Sequence, residues 1–306
     1  MMRLNTTKMI RSKKGLKYFL IAIPFIVFTF MFAYVPIFGW FIAFTDYMIG
    51  TKLTALHWAG FSAFVTMWSM GSDVLRVLVN SLVISGVGLI LSPLAMIFAI
   101  LLNEIRGRKT KRFIQTTTTF PNFISWVVVF GFAYSLFSNN GMVNTVLGQL
   151  GLQKSSTGIL GDPDHVWAFQ VCLGIWKTLG WNSIIYLATI TGIDQQLYEA
   201  AEIDGANKFG CIRYITLPGL FPTFFVLLVL AISNILNNGF DQYFVFYNPL
   251  VANRIEVFDY YTYKLAFLMN QMPVSVAVSM LKSIVSIILV FGANRASKAV
   301  RGESIF

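Results

Sequence analysis

Four stretches of this chain, 18–45, 77–103, 113–153 and 214–240, each run for more than 25 residues without one charged side chain. A helix crossing the hydrocarbon core of a bilayer needs about 20 such residues, since each residue rises about 1.5 Å through about 30 Å of lipid. Two further stretches, about 166–193 and 274–294, are apolar apart from one lysine each, Lys177 and Lys282. Backbone in lipid must satisfy its own hydrogen bonds, and the period-2 alternation of a barrel strand is absent, so these stretches are expected to be helices. The composition agrees: 12% of residues are charged and 56% apolar, where soluble domains carry about 25% charge. A soluble monomer would have to expose too much apolar surface. Disorder is excluded by the same numbers, and two cysteines, Cys172 and Cys211, cannot staple 306 residues. The expected fold is therefore all-α, a polytopic membrane protein with six transmembrane helices. The first, 18–45, follows a basic segment, 1–17, and at 28 uncharged residues far exceeds the 7 to 15 of a cleavable signal, which reads as a retained anchor. Pro24 and Pro36 predict bends within it.

Orientation follows from the basic residues. With the N-terminus in the cytoplasm, the inner segments 1–17, 104–112, 194–213 and 294–306 hold 6, 5, 2 and 3 of the 23 Lys and Arg. The outer side holds Lys52, Lys154, Arg254 and Lys264, with Arg76 at an edge. This asymmetry puts both termini, including the 295–306 tail, in the cytoplasm of a multi-pass protein of the cell membrane. It also explains the net charge of +10 without nucleic acid, because stacking aromatics are not interleaved with the basic clusters.

Several chemistries are missing. No G-x-x-x-x-G-K-[S/T] loop occurs, so the chain is not expected to bind or hydrolyse ATP itself. G-x-S-x-G, H-E-x-x-H and C-x-x-C are also absent, and no catalytic residue is assigned. His57 and His165 lie far apart without Cys or carboxylate at zinc spacing, so no metal or other cofactor is expected. Every acid falls in an expected loop or at a membrane edge, which weighs against an ion- or proton-driven carrier. Six helices without chemistry leave a pathway driven by another subunit.

The inner loop 194–218 carries the strongest pattern. Asp194 can cap a short helix reaching about Asp204, Gly205 can take the left-handed conformation that ends it, and a second helix from about Asn207 should stop before Leu217 because of Pro218. Two short helices joined at a glycine make a knob. Ala200 and Ala201 allow close approach, with Glu199 and Glu202 beside them. Unlike the other inner segments this one is acidic, with Asp194, Glu199, Glu202 and Asp204 against Lys208 and Arg213. A solvated amphipathic connection is the plain alternative. However, Glu199-Ala200-Ala201, Gly205 four residues later, Ile215, and then Leu217-Pro218 together resemble the EAA loop of ABC-importer permeases of the binding-protein-dependent type I kind. The resemblance covers roughly residues 73–294. It implies that Glu199, Ala200, Ala201, Asp204, Gly205, Ile215, Leu217 and Pro218 seat the loop in an ATPase subunit. Trp176–Ala188, Phe240–Val251 and the wording of the loop itself are similar to the oligosaccharide and polysaccharide branch. Such permeases pair with a second, different permease and with two ATPase subunits that use ATP and Mg. An external solute-binding protein delivers the oligosaccharide.

Sugars are held by hydrogen bonds to hydroxyls and by stacking on aromatic faces. Asn234, Asn237, Asn238 and Asp241 recur at i, i+3, i+4 and i+7, one face of a continuing helix, expected to line a watery cavity. Emergence of the last three at the headgroups is an equal alternative. Trp176, Trp181 and Tyr186 are candidate stacking residues, with interfacial or core packing also open to each. Lys177, near mid-depth, should face the interior or pair, since a central ammonium costs about 2.5–3.5 kcal/mol to insert. Lys282, nearer the outer side, can snorkel. The expected cargo is thus an oligosaccharide or complex glycan. A peptide or amino acid permease of the same architecture, a stand-alone secondary transporter and a non-transporting scaffold are the rivals.

Overall fold

The computed structural model describes residues 13–52, 56–151 and 158–301. Among them regular structure is helical, and extended pairing is limited to two isolated bridges, Thr45 with Trp58 and Ser138 with Gly158. The all-α expectation holds.

The chain divides into two units. The first comprises Met1–Ser69 with Leu265–Met280. Helix α1 (Lys13–Thr29) passes into a π-helical turn, Phe30–Tyr34, and then a 3₁₀ stretch, Val35–Phe44. Of the two prolines expected to bend it, Pro24 lies within regular helix, whereas Pro36 stands at the start of the 3₁₀ stretch, where a missing N–H is least costly. Phe44 stacks on Trp58 at 5.6 Å and meets Phe61 edge-on at 5.5 Å, joining the 3₁₀ stretch to α2 (Ser62–Ser69).

The second unit, Met70–Lys264 with Leu281–Phe306, is organised by one long helix. It contains α3 (Gly71–Ile90), α4 (Pro93–Asn103), α5 (Arg108–Thr119), α6 (Trp126–Phe137), α7 (Met142–Gln149) and α8 (Val166–Thr191). Then come α9 (Gln195–Ile203), α10 (Lys208–Cys211), α11 (Leu217–Ser233), α12 (Phe240–Val245), α13 (Ala252–Ile255) and α14 (Phe258–Tyr263). The last helix, α15 (Met272–Arg301), begins in the first unit and ends in this one. Helix α8 packs against α3, α4, α5 and α11. Its first half joins an apolar cluster with Val129, Ala133, Phe246 and Val257. Its second half places Tyr186, Leu187 and Ile190 against Ala99, Leu102 and Leu220. Contact with α5 is backbone-close at Gly180, where a Cβ would stand 2.3 Å from the Thr118 carbonyl oxygen. Only glycine fits there.

Two of the long uncharged runs are not single rods. Pro93 starts a new helix after a turn at Leu91 and Ser92 within 77–103. In 113–153 the helical segments Arg108–Phe123 and Trp126–Phe137 meet at 101°. Among the described residues four helices are long and apolar enough to cross a membrane, or five if that bent pair is one span. Helix α8 is long enough but too polar to be counted, because Gln170, Lys177, Thr178, Asn182 and Ser183 interrupt it.

The segment expected to be an outer loop after α11 is largely folded and anchored by charge. Glu256, only 1% exposed, pairs with Arg76 at 3.0 Å and with Lys264 at 2.5 Å. Asn80 of α3 donates to the carbonyls of Asn253 and Glu256, both at 3.0 Å. Lys282 does not merely snorkel; its ammonium pairs with Asp259.

Candidate functional site: an exposed elbow and an uncharged cavity

Segment 194–218 forms the expected knob with one departure. The Asp194 carboxylate accepts from the Gln196 N–H at 3.0 Å and so caps α9, and Asp204 closes it. Gly205 follows at φ +82°, a left-handed geometry in which any side chain would be strained. Asn207 caps α10 through the Gly210 N–H at 2.8 Å. The departure lies at Pro218. The second helix does not stop before Leu217, because a π-helical turn, Ile212–Thr216, carries it directly into α11. Pro218 then occupies the first turn of α11, directly behind the π-helical turn.

One contact closes the elbow on itself and a second ties it to the body. The Tyr198 hydroxyl hydrogen-bonds the Thr216 hydroxyl at 2.9 Å, and Lys208 pairs with Glu104 at 3.3 Å. Glu199, Ala200, Glu202, Asp204 and Gly205 are exposed, Ala201 half-buried. Ile215 and Leu217 are half-buried at the base, Pro218 exposed. The apolar surface expected from Leu197 and Ile203 beside the alanines is present, and Phe209, which sequence reasoning missed, adds to it. Ile203 is 86% exposed and Phe209 69%, and each is a residue that water does not favour on a lone surface.

The second feature is a cavity of about 620 Å³ bounded by α3, α4, α8 and the 224–243 segment. Trp181, Tyr186, Asn234, Asn237 and Asn238 all line it. Trp181 stands edge-on to Phe123 at 5.7 Å. The asparagines reach the cavity by a different route from the one expected. Helix α11 ends at Ser233 with Asn234 as its cap, and Asn237 and Asn238 lie in the irregular stretch beyond it. Gly239, at φ +88°, then turns the chain into α12. The i, i+3, i+4, i+7 stripe on one helix is therefore incorrect. Asp241 falls on the next helix, exposed and away from the cavity lining. Asn238 donates to the Ser85 hydroxyl at 2.7 Å and the Ser81 carbonyl at 3.2 Å. Its carboxamide oxygen is buried without a partner, as is the Ser92 hydroxyl on the same wall. Asn182, Gln170 and Tyr243 also line the cavity. The polar interruptions of α8 were the sequence signal for the first two.

Trp176 and Lys177 do not line it. Trp176 is half-exposed on the flank of α8. Lys177, 7% exposed, faces inward as expected, but toward a structural task. Its ammonium donates to the carbonyls of Pro121 (3.0 Å), Asn122 (3.2 Å) and Ile124, and lies 5.3 Å from the Trp126 ring centre. These groups sit at the 101° break between α5 and α6. The cavity wall itself contains no charged residue.

Residues 92–301 match the model of the family described as binding-protein-dependent transport system inner membrane component. The chain belongs to that family. It is similar to protein LplB of Bacillus subtilis, 36% identical over 94% of this chain and 90% of that protein. It is also similar to the polygalacturonan/rhamnogalacturonan transport system permease protein YteP of Bacillus subtilis, 34% identical over 94% and 89%. Among solved structures it resembles a bacterial ABC transporter involved in the import of the acidic polysaccharide alginate, with a TM-score of 0.83 and 30% identity over 94% of this chain and 97% of that one. The same fold recurs in the bacterial alginate transporter in complex with an alginate pentasaccharide-bound periplasmic protein, with a TM-score of 0.83. The fold is thus that of type I ABC importer permeases, an inner-membrane transport architecture.

Proposed function

We propose that the chain is one permease of an ATP-driven importer that moves an oligosaccharide or complex glycan received from an extracellular solute-binding protein. Six crossings place both termini in the cytoplasm. A second, different permease completes the pathway, and two ATPase subunits, using ATP and Mg, close beneath it. The elbow 194–218 seats the ATPase through Glu199, Ala200, Ala201, Asp204 and Gly205, with Ile203 and Phe209 as apolar anchors. Ile215, Leu217 and Pro218 transmit the movement into α11. ATP drives import only by binding one state of the assembly better than the other, since an indifferent ligand shifts no equilibrium.

The observation that carries the glycan reading is the lining of the cavity. Asn182, Asn234, Asn237 and Asn238 bring amides to the same space as Trp181 and Tyr186, and no lining side chain is charged. Peptide or amino acid termini would ask for ionic partners, whereas sugar hydroxyls ask for amides and rings. Purification of the intact assembly, with identification of its bound solute, tests the cargo; recovery of a peptide would overturn the reading. Glu199→Lys combined with Gly205→Pro should abolish uptake with the permease still inserted, and normal uptake in that variant would discard the coupling role.

A further inference from the structure

A second cavity, of about 230 Å³, lies along α8 next to the first. Val166, Phe169 and Gln170 line the smaller space, and Gln170, Gly174, Thr178, Asn182 and Tyr186 line the larger. From 166 to 186 the helix rises about 30 Å, the depth of the hydrocarbon core. The two spaces together therefore follow α8 over a length of about 30 Å, and Gln170 belongs to both. The same division recurs on the segment that starts with α12. Tyr243 lines the larger cavity and Phe246 the smaller, and Gln242, next to Tyr243 on α12, reaches Gln170, which borders both. Its amide donates to the Gln170 carboxamide oxygen at 2.8 Å and to the Gln170 backbone carbonyl at 3.0 Å. Gln170 is 2% exposed and Gln242 7%.

We propose that this amide pair is the gate dividing the glycan's route into a one-ring antechamber and the larger chamber, an inference that rests on the glycan reading above. The smaller cavity falls below the roughly 300–1,000 Å³ of a typical ligand site, so it takes one sugar ring rather than a chain. Its walls suit that guest. Phe130, Phe169 and Phe246 form an edge-to-face group, with centroids 5.1 and 6.2 Å from Phe246, and Tyr134, Tyr247 and Asn248 add hydroxyls and an amide. The chemistry of the gate also suits the guest. A neutral amide pair closes the path without a charge. Sugar hydroxyls can donate and accept in its place, so the pair parts as a ring passes without leaving a buried group unmade. An ion pair would bind too firmly and an apolar pair would offer no exchange.

The test removes the native thiols (Cys172→Ser, Cys211→Ser) and introduces one cysteine at a time, Ser92→Cys in the larger cavity or Asn248→Cys in the smaller. The complete importer in right-side-out vesicles without ATP is treated with a membrane-impermeant maleimide. With the gate intact, the cysteine at 248 reacts readily and that at 92 is protected. Adding Gln170→Ala with Gln242→Ala should accelerate reaction at 92 at least tenfold and leave the rate at 248 unchanged. An unchanged rate at 92, or a parallel rise at both positions, overturns the gate. The volume-keeping variant Gln170→Met with Gln242→Met should keep position 92 protected yet lower maximal uptake of the copurified cargo at least fivefold. Native uptake in that variant overturns the exchange role. Because the labelling uses no sugar, it stands or falls apart from the glycan reading, which fails only if no sugar accompanies the purified assembly.

Discussion

Replacing Lys177 with methionine keeps the length of the side chain and deletes its three donors. In the native protein the ammonium binds the carbonyls of Pro121, Asn122 and Ile124 at the break between α5 and α6. Pro121 retains the Ile124 N–H at 3.2 Å, so the variant strips its strongest partner from the other two oxygens. Hydrogen bonds to a charged group contribute about 1.5–3 kcal/mol each, about 4.5–9 for three. Against this, the variant no longer buries an ammonium, which relieves about 2.5–3.5 kcal/mol on insertion scales. The difference leaves the variant about 1–6.5 kcal/mol less stable, with the damage centred on residues 120–126. Limited proteolysis and thermal unfolding of the purified assembly check this. The cleavage should move to the break and the unfolding midpoint should fall, while Lys177→Arg, which keeps donors and charge, should recover part of the loss. A Lys177→Met protein with native unfolding and native uptake would show that the bent pair holds its 101° angle without the ammonium, and the reasoning would be wrong.

Other perturbations follow the same logic. Gly180→Ala puts a methyl 2.3 Å from the Thr118 carbonyl; α5 and α8 must part, and the loss should reach a few kcal/mol, about that of an overpacked core, read as a lower unfolding midpoint. Glu256→Gln takes the shared carboxylate from Lys264 and from Arg76, which keeps only Asp73 at 2.9 Å. Removing one partner of a buried ion pair costs about 3–5 kcal/mol, and protease resistance of the 240–264 segment should fall accordingly. Asp194→Ala deletes the cap of α9 and should lower elbow stability by about 1 kcal/mol, visible as faster amide hydrogen exchange at residues 196–198 with little change elsewhere. Protection at those amides equal to native would deny the cap its role.

The elbow was the most legible part of the fold because its shape is set locally. Asp194, Gly205 and Asn207 each act on atoms within a few residues of themselves, so their effect survives any tertiary arrangement. The error at Pro218 came from a rule that is also local but has two outcomes. Proline ends a helix when nothing follows that can restart one. Here a π-helical turn supplies the register shift, and the same residue opens α11. The asparagine stripe failed for the complementary reason. An uncharged run was read as an uninterrupted helix, but α11 ends at Ser233 and the next helix starts only after Gly239, at φ +88°, whose N–H donates to Asp259 at 3.1 Å. That contact spans twenty residues of sequence, beyond the reach of periodicity.

Helix α8 shows most clearly what composition alone conceals. Its polar residues leave it less apolar than the membrane-spanning helices beside it, and yet it is the helix around which the others pack. The two facts have one cause. A span that faces lipid can be uniformly apolar, whereas a span at the centre must supply whatever its neighbours lack. Lys177 supplies donors to a broken helix, Gly180 supplies room for the Thr118 backbone, and Asn182 and Gln170 supply amides to open space. These four positions face three different neighbours, so no single periodic stripe joins them, and the helix reads as an irregularly polar stretch until its surroundings are known. Substituting its polar residues with leucine would make it a better membrane span by hydropathy and a worse core for this protein. The stability of the assembly, rather than insertion, should therefore register the change.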